Sequence, residues 1–252
     1  SPHPRPEGAR RVTPQPAPRS KRGWLFSFGR PGCRYPCRCR LHVHLRSMRP
    51  KSSLPPKKTP APARARGQSS HEIRIIGGQW RRSVLKVLDK PGLRPTPDRV
   101  RETLFNWLGQ DLTGWRCVDA FAGTGALGLE AASRGASQVV VLEQDPDLVK
   151  VLLQQVERLK ASAVQVQRGD AVAAMQCLSA GAFDLVFLDP PFDGPWFEPA
   201  LQAAVKLVPV GGWIYLEAPV AWAAEALDPL HLTLQRHLKA GAVHAHLLQR
   251  TA

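Results

Sequence analysis

The stretch VDAFAGTGALGLE, residues 118–130, carries an apolar strand into a glycine-rich turn and then into a helix. Gly123, Gly125 and Gly128 satisfy the G-x-G-x-x-G spacing of nucleotide-binding turns, in which glycines permit a tight turn and close approach of a ligand. Glu143 follows Gly123 by 20 residues, at the end of the next apolar run. This spacing predicts a βαβ unit of a parallel sheet, with a nucleotide site at its carboxyl edge.

The alternation of apolar runs and amphipathic stretches continues to the C-terminus. Five strand-like runs separated by helical stretches predict a parallel, doubly wound sheet. The last stretch, HLTLQRHLKAGAVHAHLLQR, predicts two strands joined by a turn at Lys239-Ala240-Gly241. We therefore expect an α/β, Rossmann-like fold with a mostly parallel seven-stranded sheet and a C-terminal antiparallel hairpin.

A smaller unit is predicted before this array. The runs IRIIGG and SVLKVL flank GGQWRR and predict a short β-hairpin. Thr96 is predicted to cap a helix that begins at Pro97 and ends near Gly109, with Arg99 and Arg101 pointing away from its apolar face. We therefore expect residues 71–110 to form an N-terminal β-hairpin and helix extension, followed by the main domain at residues 111–252.

Charge divides the chain into two parts. Residues 1–70 contain 17 Lys and Arg residues and a single acid, Glu7, whereas residues 71–252 contain 18 basic residues and 19 acids. The Pro-, Arg- and Ser-rich residues 1–70 are predicted to be a disordered basic leader, because they bury too little apolar surface to offset chain entropy. Met48 begins an ordinary basic leader, so residues 1–47 are interpreted as an extension absent from the native protein.

Membrane and metal chemistry are not predicted. No apolar run approaches the ~20 residues of a membrane span, and no ordinary signal peptide is found, so we expect a cytoplasmic protein without membrane association. The segment CRYPCRCRLHVH, residues 33–44, gathers three cysteines with His42 and His44. Its spacing matches no standard zinc module, and we predict no metal site.

Two cofactor classes and a purely structural tight turn fit the glycine loop. A nicotinamide dinucleotide would place its pyrophosphate there. Asp119, at the end of the preceding strand, instead favours a cofactor with an amino group or a sulfonium, because a carboxylate repels a pyrophosphate. The stretch FDLVFLDPPFDG, residues 183–194, points the same way, since its Asp-Pro-Pro-Phe turn has no evident part in hydride transfer. The alternative for that turn is a stiff exit from a strand.

Together these motifs resemble the class I methyltransferases that use S-adenosylmethionine. The resemblance implies that Asp119 faces the amino-acid end of the cofactor and that Glu143 accepts hydrogen bonds from the ribose hydroxyls. It implies that Asp170 receives the adenine amino group. A helix N-cap for Asp170 and a solvated strand end for Glu143 stay open as alternatives. The other predicted cofactor residues are Phe121, Gly123, Gly125 and Ala171.

Methyltransferases that modify exocyclic amines of nucleobases carry [D/N/S]-P-P-[F/Y/W] after the fourth strand, and this chain has Asp189, Pro190, Pro191 and Phe192. In that role the Asp189 carboxylate and the Pro190 carbonyl accept the amine N–H groups and direct its lone pair toward the methyl group. The prolines stiffen the turn, and Phe192 offers a ring for stacking. The target base must be unpaired or flipped to enter.

The segments IRIIGGQWRR, GLRPTPDRVRETLFNWL, DAFAGTGALGLEA and VFLDPPF occur in this order and are similar to the RsmD family. These bacterial methyltransferases act on the guanine N2 amine of small-subunit ribosomal RNA. The resemblance covers the chain from Glu72 onward and departs from the family at the basic leader. It implies S-adenosylmethionine as cofactor, ribosomal RNA within a small-subunit assembly particle as partner, and an RNA-facing segment at residues 71–110. The sequence does not determine the oligomeric state, and we expect a monomer.

A basic cluster supports the RNA prediction, since residues 71–101 hold eight basic residues against three acids. Merely solvated charges are the alternative. Three other functions stay open: a DNA or protein amino-methyltransferase, a nicotinamide oxidoreductase, and a non-catalytic RNA-binding assembly factor. The predicted RNA-binding residues are Arg81, Arg82, Arg94, Arg99 and Arg101.

Overall fold

Residues 72–90, 93 and 96–252 are the part of the chain that this computed structural model describes. The predicted leader, the proposed start at Met48, the cysteine–histidine segment and Arg94 lie outside the described residues. The helices within the described part are all too short or too polar to cross a membrane.

The described chain alternates strands and helices in the predicted order. The strands are β1 (Ile73–Arg74), β2 (Val84–Leu85), β3 (Arg116–Asp119), β4 (Gln138–Glu143), β5 (Val164–Arg168), β6 (Leu185–Leu188), β7 (Trp213–Ala218), β8 (Leu232–Ala240) and β9 (Val243–Arg250). The helices are α1 (Asp98–Trp107), α2 (Ala126–Ser133), α3 (Pro146–Leu159), α4 (Ala171–Cys177), α5 (Phe197–Leu207) and α6 (Ala224–Leu227), with a 3-10 turn at Asp228–Leu230.

Seven strands form one sheet in the order β5-β4-β3-β6-β7-β9-β8. Strands β3 to β7 are parallel to one another, and β9 lies antiparallel between β7 and β8. The predicted fold class is therefore confirmed. The chain winds outward from β3 to β5 and then returns to β6, on the other side of β3. Ligands of open α/β sheets bind at such a reversal, outside the carboxyl ends of the strands.

The sheet separates two apolar cores. Helices α1, α2 and α3 cover one face, whose buried side chains include Phe105, Phe187 and Tyr215. Helices α4, α5 and α6 cover the other face, around residues such as Leu201 and Leu216. The rings of Phe187 and Tyr215, on the neighbouring strands β6 and β7, meet edge to face at 6.3 Å between centroids. Side chains two residues further along these strands therefore project from the α1–α3 face.

The N-terminal extension differs in detail from its prediction. Its hairpin strands, β1 and β2, are only two residues long each. Helix α1 begins at Asp98, and the predicted cap at Thr96 is wrong, because Pro97 occupies the N-cap position without a side-chain hydrogen bond. The Thr96 hydroxyl instead points toward Asp189. Helix α1 also packs in the same core as β3 and β6, so the extension shares a core with the sheet.

Candidate active site

Carboxylates occupy the carboxyl ends of four adjacent strands, on the face that α1, α2 and α3 cover. They are Glu143 of β4, Asp119 of β3, Asp189 after β6 and Glu217 of β7. Each stands two residues beyond a side chain of the core on this face, namely Val141, Cys117, Phe187 and Tyr215. Because side chains alternate along a strand, the four acids project in one direction.

A cavity of about 660 Å³ opens at this edge of the sheet, a size within the range of small-molecule sites. Ten of the eleven predicted catalytic and cofactor residues line this cavity, and Gly125 is the exception. Gly125 has a φ of 74° at the N-cap of α2, and a Cβ there would lie 2.4 Å from a Leu152 methyl carbon, so its role is to form the turn. The other ten line the cavity: Asp119, Phe121, Gly123, Glu143, Asp170, Ala171, Asp189, Pro190, Pro191 and Phe192.

Asp119 is almost completely buried at the floor of this cavity, with 2% of its surface exposed. Burial raises the pKa of its carboxyl to about 7; the Gly128 N–H bond opposes this rise, and the nearby Glu143 charge adds to it. The Gly128 N–H donates to Asp119 Oδ2 at 2.8 Å. A cation placed in the cavity would therefore stabilise the ionised form of Asp119.

Glu143 is fixed by two backbone donors. The N–H of Gly123 donates to Oε2 at 2.8 Å, and the N–H of Asp145 donates to Oε1 at 2.8 Å. An ionised carboxylate oxygen has a second lone pair, so Glu143 retains acceptor capacity for ligand hydroxyls. Asp170 serves as the N-cap of α4, accepting from the Ala173 N–H at 2.8 Å, and also lines the cavity. Asp170 therefore caps α4, as the alternative prediction states, and it also lines the cavity.

The Asp-Pro-Pro-Phe turn lines the same cavity. Asp189 is half-buried, and the Thr96 hydroxyl donates to its Oδ2 at 3.4 Å, a long hydrogen bond. The Phe192 ring is half-buried and lies 6.3 Å from the Phe197 ring, which lies 6.4 Å from Trp222. Two further rings, packed against the core on the α4–α6 side, therefore continue from the single ring that the motif predicts.

Four described residues between β2 and α1 line the cavity, which the sequence does not predict. They are Lys90, Leu93, Thr96 and Pro97. Lys90 Nζ donates to both Asp145 oxygens at 2.6 Å and to Asp147 at 2.8 Å. These hydrogen bonds raise the pKa of Lys90 and lower the pKa of Asp145. No local signal could reveal this pair, because its members are 55 residues apart.

Glu217 is another cavity residue that the sequence did not predict. It is 2% exposed, and the Tyr215 hydroxyl donates to its Oε1 at 2.8 Å. A usable signal exists in GGWIYLEAP, where the acid ends an apolar strand in the same way as Glu143 ends β4.

The predicted RNA-binding arginines separate into three groups. Arg81 and Arg82 are exposed in the turn between β1 and β2, and Arg99 is exposed on α1. Arg94 lies outside the described residues. For Arg101 the structure contradicts the prediction, because its side chain is fully buried.

The burial of Arg101 has a local cause. Its guanidinium donates to the Arg74 carbonyl at 2.9 Å and to Asp98 at 2.6 Å, and it pairs with Glu130 at 3.5 Å. Arg101 stands four residues before the core residue Phe105 and therefore shares its helix face. It joins structural elements and is not available to RNA.

A family model and several named proteins match most of this chain. The family model described as "Conserved hypothetical protein 95" matches residues 73–249. The protein named ribosomal RNA small subunit methyltransferase D of Escherichia coli K12 is 40% identical over 188 residues, covering 73% of this chain and 92% of that protein. The protein of the same name from Haemophilus influenzae is 40% identical over 185 residues, covering 71% and 94%.

Solved structures resemble the described fold. The proposed methyltransferase YhhF of Escherichia coli superposes with a TM-score of 0.63 at 39% identity, covering 72% of this chain and 99% of that one. A proposed methylase of Haemophilus influenzae superposes with a TM-score of 0.61 at 33% identity, covering 72% and 99%. The matched region therefore extends over nearly the whole of both solved chains.

Proposed function

Because this chain belongs to the family of conserved hypothetical protein 95, the RsmD family, we propose that it transfers a methyl group from S-adenosylmethionine to the N2 amine of a guanine in small-subunit ribosomal RNA. It has the fold of a class I methyltransferase. The observation that carries the proposal is one shared cavity. The Asp189–Phe192 turn and the predicted cofactor acids line it together, on either side of the β3–β6 reversal.

The donor set of the cavity fits S-adenosylmethionine, which supplies a methyl group on a positively charged sulfur. Asp119, buried and with a raised pKa, suits the ammonium group at the amino-acid end of this cofactor. Glu143 has acceptor capacity for two ribose hydroxyls, and Asp170 with Ala171 suits the adenine end. The three acids end the neighbouring strands β3, β4 and β5. This order matches the order of the amino-acid, ribose and adenine parts along the cofactor.

Asp189 and Pro190 orient the target amine. A base amine is a weak nucleophile because its lone pair is delocalised into the ring. Two acceptors aimed at its N–H groups favour a pyramidal nitrogen whose lone pair faces the methyl group. The hydroxyl of Thr96, two residues before α1, donates a long hydrogen bond to the Asp189 carboxylate. Phe192 stacks on the base, a contact of about 1–3 kcal/mol.

Exposed arginines outside the cavity bind the RNA in this proposal. Arg81, Arg82 and Arg99 are the described arginines of the predicted set that are exposed, and Arg94 stays a prediction. Phosphate contacts of this kind fix the register of the RNA without reading its sequence. The target guanine must then leave its stack to reach Asp189.

Methyl transfer to unmodified small-subunit particles tests the proposal. Particles from cells lacking the gene are incubated with the protein and labelled S-adenosylmethionine, and the RNA is mapped by mass spectrometry. We expect one methyl group on the N2 atom of one guanine. Label in DNA or protein would support the amino-methyltransferase alternative, and no label would contradict the proposal.

A binding experiment separates the remaining alternatives. S-adenosylhomocysteine is expected to raise the Tm, and NAD is expected to leave it unchanged. Stabilisation by NAD alone would support the oxidoreductase alternative. RNA binding without stabilisation by either nucleotide would support a non-catalytic assembly factor.

A further inference from the structure

Glu217 takes no part in the function proposed above, although it lies in the same cavity. Its carboxylate is 2% exposed and lines the cavity together with Asp189. The Tyr215 hydroxyl donates to Oε1 at 2.8 Å. Burial, together with the neighbouring Glu217 charge, raises the pKa of Tyr215 well above its usual value, so this hydroxyl keeps its proton and its donor role. Glu217 is therefore an acceptor held in a defined position.

Glu217 stands beside Asp189 in the sheet. The last registered pair between β6 and β7 is Leu188 with Leu216, and the two acids follow at the next position of each chain segment. Neighbouring strands are about 4.7–4.9 Å apart. Phe187 and Tyr215, two residues earlier, face the same core. The cavity thus presents two adjacent carboxylates on one face, at the strand ends where the amine is proposed to react.

Two adjacent acceptors match one base edge. Guanine presents its N2 amine next to a protonated N1, so two donors lie side by side. Adenine and cytosine present an exocyclic amine next to an unprotonated ring nitrogen, which is an acceptor. A second carboxylate at this position would accept the guanine N1–H, and it would repel the ring lone pair of either other base.

We propose that Glu217 is a specificity-determining residue that accepts the N1–H of the target guanine while Asp189 accepts from the N2 amine. Tyr215 is a positioning residue that orients the Glu217 carboxylate. The inference rests on the proposed function and extends it, because it assigns the choice of guanine to one side chain. A Tyr215–Glu217 pair that only satisfies buried polar atoms would leave base choice unaffected.

Base substitution at the mapped guanine tests this assignment. The full chain and its Glu217→Gln variant are assayed on particles that carry either guanine or 2-aminopurine at that position. 2-Aminopurine keeps the N2 amine but has an unprotonated N1. It also lacks O6, a difference that affects both enzymes alike and cancels when their preferences are compared. The measured quantity is the ratio of kcat/KM for guanine over 2-aminopurine.

We expect Glu217→Gln to lower this ratio by about 10- to 100-fold relative to the unchanged chain. The change arises from slower reaction with guanine, and the amide N–H of Gln gives 2-aminopurine a donor that Glu217 lacks. The matched control is Glu198→Gln, the same chemical change at an exposed site on α5. It is expected to leave the ratio unchanged.

Three outcomes are decisive. An unchanged ratio in Glu217→Gln, with guanine still methylated, would overturn the assignment and leave the proposed function intact. No methylation of guanine by the unchanged chain would overturn both. If Glu217→Gln fails to fold, as judged by its Tm with S-adenosylhomocysteine, Tyr215→Phe replaces it. We expect that variant to lower the ratio by roughly 3- to 10-fold, and an unchanged ratio would again overturn the assignment.

Discussion

At the scale of single residues, Asp119 is a carboxyl group whose burial opposes its ionisation. Its pKa is about 7 in the folded protein, compared with 3.8 for an unperturbed aspartate. The folded state therefore binds a proton that the unfolded state has released, over the window between about pH 4 and pH 7. The stability that the Asp119 carboxyl contributes is complete below the unfolded-state pKa of 3.8. It is lost as the pH rises through the folded-state pKa of about 7.

Asp119→Asn removes this titration and keeps an acceptor for Gly128. We expect the free energy of unfolding of the unchanged chain to fall by up to about 3 kcal/mol more between pH 5 and pH 8 than that of the variant. Urea unfolding at both pH values measures the difference. Parallel pH dependence in the two proteins would show that Asp119 ionises normally in the folded state.

Asp189 acts in the transition state, according to the proposed function. Asp189→Ala removes the side-chain acceptor that orients the amine, so we expect a decrease of about 30- to 1,000-fold in kcat, with a smaller change in KM. Asp189→Asn keeps an acceptor oxygen and should retain more activity than Ala. Single-turnover methyl transfer at saturating cofactor measures the rate.

The binding of S-adenosylhomocysteine is the control, and it should be unchanged in both Asp189 variants. Near-normal turnover by Asp189→Ala would mean that the Asp-Pro-Pro-Phe turn is only a stiff exit from β6.

At the scale of elements, the GGQWRR turn is fitted to the end of α2. The N–H groups of Ile76 and Gly77 both donate to Glu130 at 2.8 Å, and the N–H of Gln79 donates to the Ser133 carbonyl at 2.8 Å. A Cβ at Gly78 would lie 1.9 Å from that carbonyl oxygen. The two glycines therefore allow the hairpin backbone to approach the helix, and this docking orients the turn that carries the two exposed arginines.

Glu130 is the centre of this junction, because it is fully buried and also pairs with Arg101 and Arg134. We expect Glu130→Ala to lower the free energy of unfolding by about 3–5 kcal/mol, since it removes the carboxylate that pairs with the buried Arg134 and one of the two that pair with Arg101. Denaturant unfolding measures this decrease. Hydrogen exchange should show faster exchange at the amides of Ile76 and Gly77.

Glu102→Ala, an exposed change on α1, is the matched control and should cost less than about 0.5 kcal/mol. If Glu130→Ala were as mild as Glu102→Ala, the hairpin would not depend on this junction.

At the scale of the whole molecule, the net charge does not describe the surface that RNA meets. Residues 71–252 contain 18 basic residues against 19 acids, yet residues 71–101 contain eight against three. Phosphate binding responds to such local excess, because screening at physiological salt limits each charge to about 8 Å.

Replacing Arg81, Arg82 and Arg99 together with Gln is expected to weaken RNA binding. It should also reduce the slope of log K against log salt by roughly 0.7–0.9 for each RNA phosphate that the variant no longer neutralises. Filter binding across a salt series measures both quantities. Cofactor affinity should change little, because none of the three arginines lines the cavity.

The matched control replaces three exposed lysines, Lys150, Lys160 and Lys206, with Gln. An equal reduction of the slope in the control would show that RNA binding does not depend on this arginine surface.

The sequence by itself determined the fold class and most of the cavity. Apolar periodicity and turn residues are local signals, and they located the strand ends that carry Asp119, Glu143 and Asp189. In a parallel sheet, all carboxyl strand ends lie at one edge, so residues far apart in the chain were correctly expected to meet there. Ten of the eleven predicted catalytic and cofactor residues line one cavity for this reason.

Only the tertiary structure decided which neighbours these residues have. Glu217 lies beside Asp189 because β7 pairs with β6, and Lys90 contacts Asp145 because a residue that precedes α1 packs at the N-cap of α3. Arg101 is buried because a carboxylate from α2 meets it inside the core. Such pairings depend on strand order and on packing between elements distant in sequence, and local periodicity carries no information about either.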